Sequence, residues 1–269
     1  MQNSELAQKA KAIRRTILEL IFQAKASHVG CSLSVVDILT TLYFGVMKVN
    51  PSNSKMPERD RLILSKGHAV TALYATLAEK GFFSREELNS YGKDGTRLAS
   101  HVVMNAVPGI ETSGGSGGHG LSLGVGMALA ARAAQNQARV FVVSGDGELE
   151  EGSVWEAALS AQAHNLDNLI LVIDRNFLQD GQDGNTTEQI LKLEPLDQKF
   201  ESFGWEVESV DGHDFEQLLE ALKRRSYKPR VIIAKTMKGK GVSFMEGKAE
   251  WHGKSPDQEQ YEQALKELS

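Results

Sequence analysis

Cysteine is almost missing from this chain of 269 residues, with Cys31 as its single thiol. One cysteine excludes an intrachain disulfide and any cysteine-rich metal cluster. Proline is scarce too: the 6 prolines are scattered, and no proline-rich linker or low-complexity tract divides the chain. A single domain over residues 1–269 is therefore the expectation. No run approaches the roughly 18 uninterrupted apolar residues of a membrane span. The N-terminal stretch mixes acids, amides and bases where a secretory signal would carry an apolar core. Positive charge is not in excess, since 30 Lys and Arg stand against 35 Asp and Glu for a net charge of -5. A broad basic footprint for nucleic acid or an anionic membrane is thus lacking. These absences lead to the expectation of a soluble, cytoplasmic protein that works on neither.

What is present is a large core-forming fraction, 41% apolar. From Ser4 to about Gln23 the apolar residues Leu6, Ala10, Ile13, Ile17, Leu20 and Ile21 recur at helical spacing. Ser34 with Asp37, and Ser84 with Glu87, read as capping-box starts of two further helices. Between them RLILSKGHAV is a short apolar run, a Lys-Gly-His turn and a helix that Gly81 should end. Residues 139–143, 169–173 and 230–234 are apolar runs, the first and third led by an arginine, separated by helical patterns, the last after a helix begun at Asp214. Continuous apolar strands alternating with helices predict an α/β fold, a parallel sheet with helices on both faces. A Gly-rich loop at Gly114 to Gly120 precedes a helix of small residues with almost no polar face, which should be buried here or against another chain.

Ligands of open parallel sheets bind beyond the carboxyl ends of the strands. Two such ends carry unusual polar residues: Gly145-Asp146-Gly147 and, 30 residues after the Asp, Asn176. That interval is one helix plus one strand, so both side chains can emerge on the same sheet edge. A carboxylate and an amide oxygen suit a hard divalent cation, and bare glycines let backbone N–H groups approach phosphate. Taken singly, the first piece is also an ordinary turn and the second a loop amide. The complete P-loop pattern GxxxxGK[ST] and HExxH are both absent. Glu148, Glu150, Glu151 and Glu156 follow the Gly-Asp-Gly turn and read as a solvated helix face or an interface run.

The segment SGDGELEEGSVWEAALSAQAHNLDNLILVIDRN resembles the thiamine-diphosphate signature. SHVG at 27–30, LSKGHAVTALY at 64–74, ETSGGSGGHGLSLGVGMALA at 111–130, KTMKGKGVSFME and WHGK are specifically similar to transketolase. The resemblance runs in order along nearly the whole chain and concerns the N-terminal, diphosphate-binding domain alone. It implies the thiamine-diphosphate-binding fold, with Mg²⁺ (or Ca²⁺ or Mn²⁺) held by Asp146, Asn176 and the carbonyl of Leu178. It implies cofactor contacts at Cys31, His68, Gly115, Ser116, Gly117, Gly147, Asn176, Lys238 and His252. His28, His101 and His252 match the histidines that face the donor sugar and move protons at its hydroxyls, a task suited to imidazole. His119, His164 and His213 read as hydrogen-bonded loop histidines. Acids matching Glu151 and Glu156 lie at the family's subunit interface. The family loop carries a leucine where this chain has Gly117, which implies a larger pocket or a looser cofactor ring.

No segment resembles the pyrimidine-binding domain, whose glutamate drives cofactor activation in the family. The implied protein is therefore one half of a split transketolase, paired with a separate C-terminal subunit in a heterotetramer of two copies each. The implied reaction moves a two-carbon ketol unit between sugar phosphates. Two alternatives stand beside it. One is another thiamine enzyme, either deoxyxylulose-phosphate synthase-like or specialised for a modified sugar. The other is a non-catalytic cofactor-binding subunit.

Overall fold

The structure, a computed structural model, describes residues 2–179 and 186–269. Five parallel strands form its sheet: β1 (Arg61–Leu64), β2 (Val140–Gly145), β3 (Leu169–Arg175), β4 (Glu206–Asp211) and β5 (Arg230–Lys235), in the spatial order β1-β2-β3-β5-β4. The three apolar runs are the three central strands. β1 and β4 are the edge strands: β1 is the short apolar run read before the Lys-Gly-His turn, and apolar continuity does not single out β4. β1 is only 4 residues long, and β4 is largely polar, its Val207 and Val210 turned to opposite cores.

Alternation along the strands sends side chains to opposite faces. Leu62, Phe141, Val143, Ile170, Val172 and Ile232 enter one apolar core, and Ile63, Val142, Leu171, Ile173 and Val231 enter the other. The first core is closed by α1 (Asn3–Ala24), α2 (Val29–Ser34), α3 (Val36–Thr41) and α4 (Val70–Lys80). The second is closed by α5 (Gly120–Ala133), α6 (Gly152–Ala163), Leu193 after the single turn α7 (Thr187–Ile190), and α8 (Leu196–Ser202). α9 (Phe215–Lys223) joins the first layer, and α10 (Gln258–Glu267) packs on α1. All six apolar positions read in α1 are buried. Gly81 ends α4 in the left-handed region at φ 91°, and Asp214 caps α9 by accepting from Glu216 N and Gln217 N. Among the described residues no helix is long and apolar enough to cross a membrane.

Both capping-box expectations fail. Ser34 is the last residue of α2 rather than the start of a helix, and its Oγ donates to Asp174 Oδ2 at 2.6 Å. Asp37 forms a bidentate pair with Arg14 of α1, at 2.9 and 2.7 Å. Ser84 makes no side-chain cap, and Glu87 pairs with Arg97. In each case a longer-range partner wins over the local backbone. The small-residue helix α5 is buried along one side, at Gly120, Leu121, Gly124, Val125 and Ala128, whereas Leu123 stays 43% exposed.

The Arg14–Asp37 pair carries a stability prediction. Burial by itself would raise the Asp37 carboxyl, but Arg14, helped by His213, holds it below the ordinary 3.8. A depressed folded value means the contribution is complete above 3.8 and lost as pH falls through the folded value. Asp37→Asn leaves the buried guanidinium without its counter-charge and should cost about 3 kcal/mol. Chemical denaturation at pH 7 reads that loss, and wild type and variant should converge on acidification.

Candidate active site

Four neighbouring strands deliver the site at their carboxyl ends. β1 runs into Ser65, Lys66 and His68, β2 into Gly145 to Glu148, β3 into Asn176 to Gln179, and β5 into Lys238. The register sets Gly145 beside Asp174, which brings Asp146 against Arg175 at 3.2 Å. A cavity of about 220 Å³ opens there, lined by Cys31, Ser65, Lys66, His68, Gly115, Gly117, Gly145, Asp146, Gly147, Glu148, Asn176, Leu178, Gln179 and His252. Of the residues expected in a cofactor or metal role, only Ser116 and Lys238 are not on its wall. Ser116 faces an adjoining outer depression with Ser113 and Leu123. Lys238 stands behind His252, fully buried, donating to His252 Nδ1 at 3.0 Å and to the Leu178 carbonyl at 3.3 Å.

The four histidines singled out by their contexts meet. His28 lies with ring centroids 5.3 Å from His68, 6.0 Å from His101 and 5.2 Å from His252, and His68 lies 5.2 Å from His252. Their assembly is partly a backbone matter: His28 N–H donates to the His252 carbonyl at 2.7 Å. His28 also adopts a left-handed conformation at φ 72°, costly for a residue with a Cβ, as α2 begins. An ammonium has only donors, so Lys238 makes His252 Nδ1 an acceptor and leaves the proton on Nε2. His68 is pushed well below the usual imidazole range, first by burial and then by Lys66, His252, His28 and Lys238, so it is held neutral. His119, His164 and His213 lie outside this group.

Burial also pushes the Asp146 carboxyl up to about 6, against the pull of Arg175. Its Oδ2 accepts from Phe177 N at 2.7 Å and its Oδ1 from Gly147 N at 2.9 Å. Asn176 Oδ1 accepts from Leu178 N at 3.1 Å. A carboxylate, an amide oxygen and a main-chain carbonyl are the hard donors that Mg²⁺ or Ca²⁺ takes, and the set fits such an ion with Arg175 as its competitor for Asp146. Cys31, His68 and His252 also have ligand atoms within 4.8 Å of one another. The ammonium of Lys238 on His252 Nδ1 sets a positive charge where a soft cation would sit, so that trio fits an anion's surroundings better.

Three residues of the site escape a reading of the sequence. Lys66 is 3% exposed and bonds the carboxylate of Asp174, which is fully buried, and the Cys31 carbonyl at 3.1 Å. Asp174 also accepts from Ser34 and Thr236. Burial opposes the charge of Lys66, and Asp174 more than offsets it, so its pKa lies above the usual value. Glu148, read as part of a solvated or interface run, points inward instead. It accepts from Ser65 Oγ, from Gly145 N at 3.1 Å and from Gly118 N at 3.2 Å, fastening the Gly-rich loop to the strand ends. A Cβ at Gly117 would lie 3.3 Å from Glu148 Cβ, a tight contact that the bare position avoids. Gln179 lines the rim from the segment after β3 and bonds Glu150 at 3.0 Å.

The chain matches the family described as transketolase, thiamine diphosphate binding domain, over residues 6–268. It belongs to that family. It is 44% identical over 272 residues to an apulose-4-phosphate transketolase subunit of Phocaeicola vulgatus, covering 100% of this chain and 95% of that protein. Identity is also 44% over 271 residues to the 6-deoxy-6-sulfo-D-fructose transketolase subunit SqwG of a Clostridium species, covering 99% and 97%. The solved transketolase of Campylobacter jejuni superposes with a TM-score of 0.91 at 32% identity, covering 100% of this chain and 43% of that one. This transketolase-family chain thus spans less than half the length of that solved relative, and thiamine diphosphate is the cofactor its family domain binds. With the Lys66 ammonium, neutral His68 and the oxygen donors of Asp146, Asn176 and Leu178 on its wall, the cavity suits a diphosphate together with a cation.

Proposed function

We propose that this chain is the diphosphate-holding subunit of a split transketolase that moves a two-carbon ketol unit from a ketose phosphate to an aldose phosphate. The observation that carries the proposal is the meeting of His28, His68, His101 and His252 beside the cavity. A site that merely stored a cofactor has no use for a cluster of imidazoles beside it. Lys66, Lys238 and His68 hold the diphosphate, and Asp146, Asn176 and the Leu178 carbonyl hold Mg²⁺. Thiamine diphosphate, when bound, supplies the electron sink for breaking and making the carbon–carbon bond. His28, His101 and His252 orient the sugar hydroxyls and exchange protons with them, His252 offering the Nε2 proton that Lys238 keeps in place. A separate C-terminal subunit carries the pyrimidine-binding domain and its glutamate, and two copies of each form the working enzyme in the cytoplasm. Two relatives of equal identity are named for different sugars, apulose 4-phosphate and 6-deoxy-6-sulfo-D-fructose, which favours a modified-sugar donor as the second reading.

The test combines this chain with a candidate C-terminal transketolase subunit from the same genome, thiamine diphosphate, Mg²⁺ and an aldose phosphate acceptor. The donors are xylulose 5-phosphate, apulose 4-phosphate and 6-deoxy-6-sulfofructose. Transfer in the mixture alone is the expected result, and the preferred donor identifies the substrate. Turnover by this chain without a partner would refute the two-polypeptide arrangement. No transfer from any donor would refute ketol transfer by this pair.

A further inference from the structure

His213 is far from the cavity in the chain's path, in the turn between β4 and α9, yet it is wired to the loop that carries Lys238. Its Nδ1 lies 2.7 Å from Asp37 Oδ2, and its Nε2 accepts from Met237 N–H at 2.8 Å. Accepting at Nε2 requires the neutral ring with its proton on Nδ1, the tautomer the Asp37 carboxylate selects. Asp37 is itself gripped by Arg14, whose Nε donates to the Lys240 carbonyl at 3.0 Å. The Asp37 carboxylate therefore holds the two groups that fasten the loop on either side of Lys238, His213 at Met237 and Arg14 at Lys240. Between these points Gly239 N–H donates to the Gly30 carbonyl at 3.0 Å. A Cβ at Gly239 would lie 2.4 Å from the Met245 carbonyl oxygen, so the loop has no slack there.

We propose that His213 is a positioning residue that sets the Met237–Lys240 loop through the Met237 amide, and with it Lys238 and His252 in the cofactor site. This rests on the reading of Lys238 as a diphosphate and His252 contact. His213 itself touches no residue of the cavity wall in the hydrogen bonds described. What imidazole does here that an apolar side chain cannot is donate across one edge of the ring and accept across the other. It thereby ties a loop amide to a carboxylate fixed between two helices.

Two substitutions separate the two bonds. Asn reaches as far as Nδ1 and keeps the contact with Asp37, but falls short of Met237. Gln carries its carbonyl oxygen to the place of Nε2 and keeps the acceptor. The experiment measures thiamine diphosphate affinity with Mg²⁺ for the full chain with its partner subunit, and amide hydrogen exchange of the 236–241 segment without cofactor. Lys238→Ala serves as the control. His213→Asn should weaken binding about tenfold and speed exchange at Met237, as the loss of the one hydrogen bond that holds this amide does. His213→Gln should stay within about threefold of wild type in both. Wild-type affinity and exchange in His213→Asn, with Lys238→Ala weakened, would overturn the positioning role and leave the site reading intact. Equal losses in the Asn and Gln variants would also overturn it, since the acceptor at Nε2 would then not be what matters. Wild-type affinity in Lys238→Ala would overturn the site reading on which the proposal rests. The exchange measurement needs no cofactor, so it decides the loop's anchoring even for a variant that binds nothing.

Discussion

Replacing Asp146 by alanine should weaken Mg²⁺-dependent binding of thiamine diphosphate by at least about 100-fold, some 2.7 kcal/mol. Asp146 is the only charged member of the donor set formed with Asn176 and the Leu178 carbonyl, and a hard cation loses most of its attraction when the carboxylate goes. The fold should survive. Arg175 keeps Glu188 and Glu194 as counter-charges, and the structural loss is confined to the bonds from Gly147 N and Phe177 N. Asp146→Asn sharpens the result, because it preserves shape and an acceptor for Phe177 N–H while removing the charge. Calorimetric titration with cofactor, with and without Mg²⁺, distinguishes the cases. Affinity that is unchanged in Asp146→Ala, or equally reduced with and without metal, would remove this residue from the cation site.

Lys66→Met should act on stability and cofactor affinity together. The methionine has nearly the length of lysine, so the lost volume is small. The lost charge is not small, because Asp174 is fully buried and keeps only the hydroxyls of Ser34 and Thr236 as partners. Breaking one side of such a pair costs about 3–5 kcal/mol. For a chain of this size that is a fall in Tm on the order of 10 °C. Adding Asp174→Asn should restore much of the stability, since neither partner then remains charged and unpaired. Cofactor affinity should not return in the double variant, because the ammonium on the cavity wall is still gone. A double variant as unstable as Lys66→Met would mean that the pair is not the source of the loss. Recovery of affinity with stability would take Lys66 out of the diphosphate site.

Much of the architecture could be read from runs and spacings alone. Strands whose two faces are both covered must be apolar throughout, and β2, β3 and β5 announce themselves for that reason. Because Asp146 and Asn176 follow two such strands, parallel pairing brings them to one cavity without further information. The histidine contexts were equally informative: the four in motif-like surroundings meet, and His119, His164 and His213 stay outside. β1 showed itself only as a short apolar run before the Lys-Gly-His turn, and β4 was illegible because EVESVD offers neither an apolar run nor a strict alternation.

What only the tertiary structure decided is which polar side chains turn inward and whom they meet. Ser34, Asp37 and Glu148 had plausible local roles as caps or solvated acids, and each has a long-range partner instead: Asp174, Arg14 and Ser65. Local signals describe what a side chain can do with its own backbone. A buried carboxylate gains more from a cation or hydroxyl brought against it by packing, because desolvation makes an unpaired charge so costly. Lys66 and Asp174 are 108 residues apart, and His213 and Asp37 are 176 apart. Fold class and family were set by the linear pattern, and with them the convergence of Asp146 and Asn176 on one cavity. The pairings beneath them, Lys66 with Asp174 and His213 with Asp37, exist only once the sheet brings distant segments together.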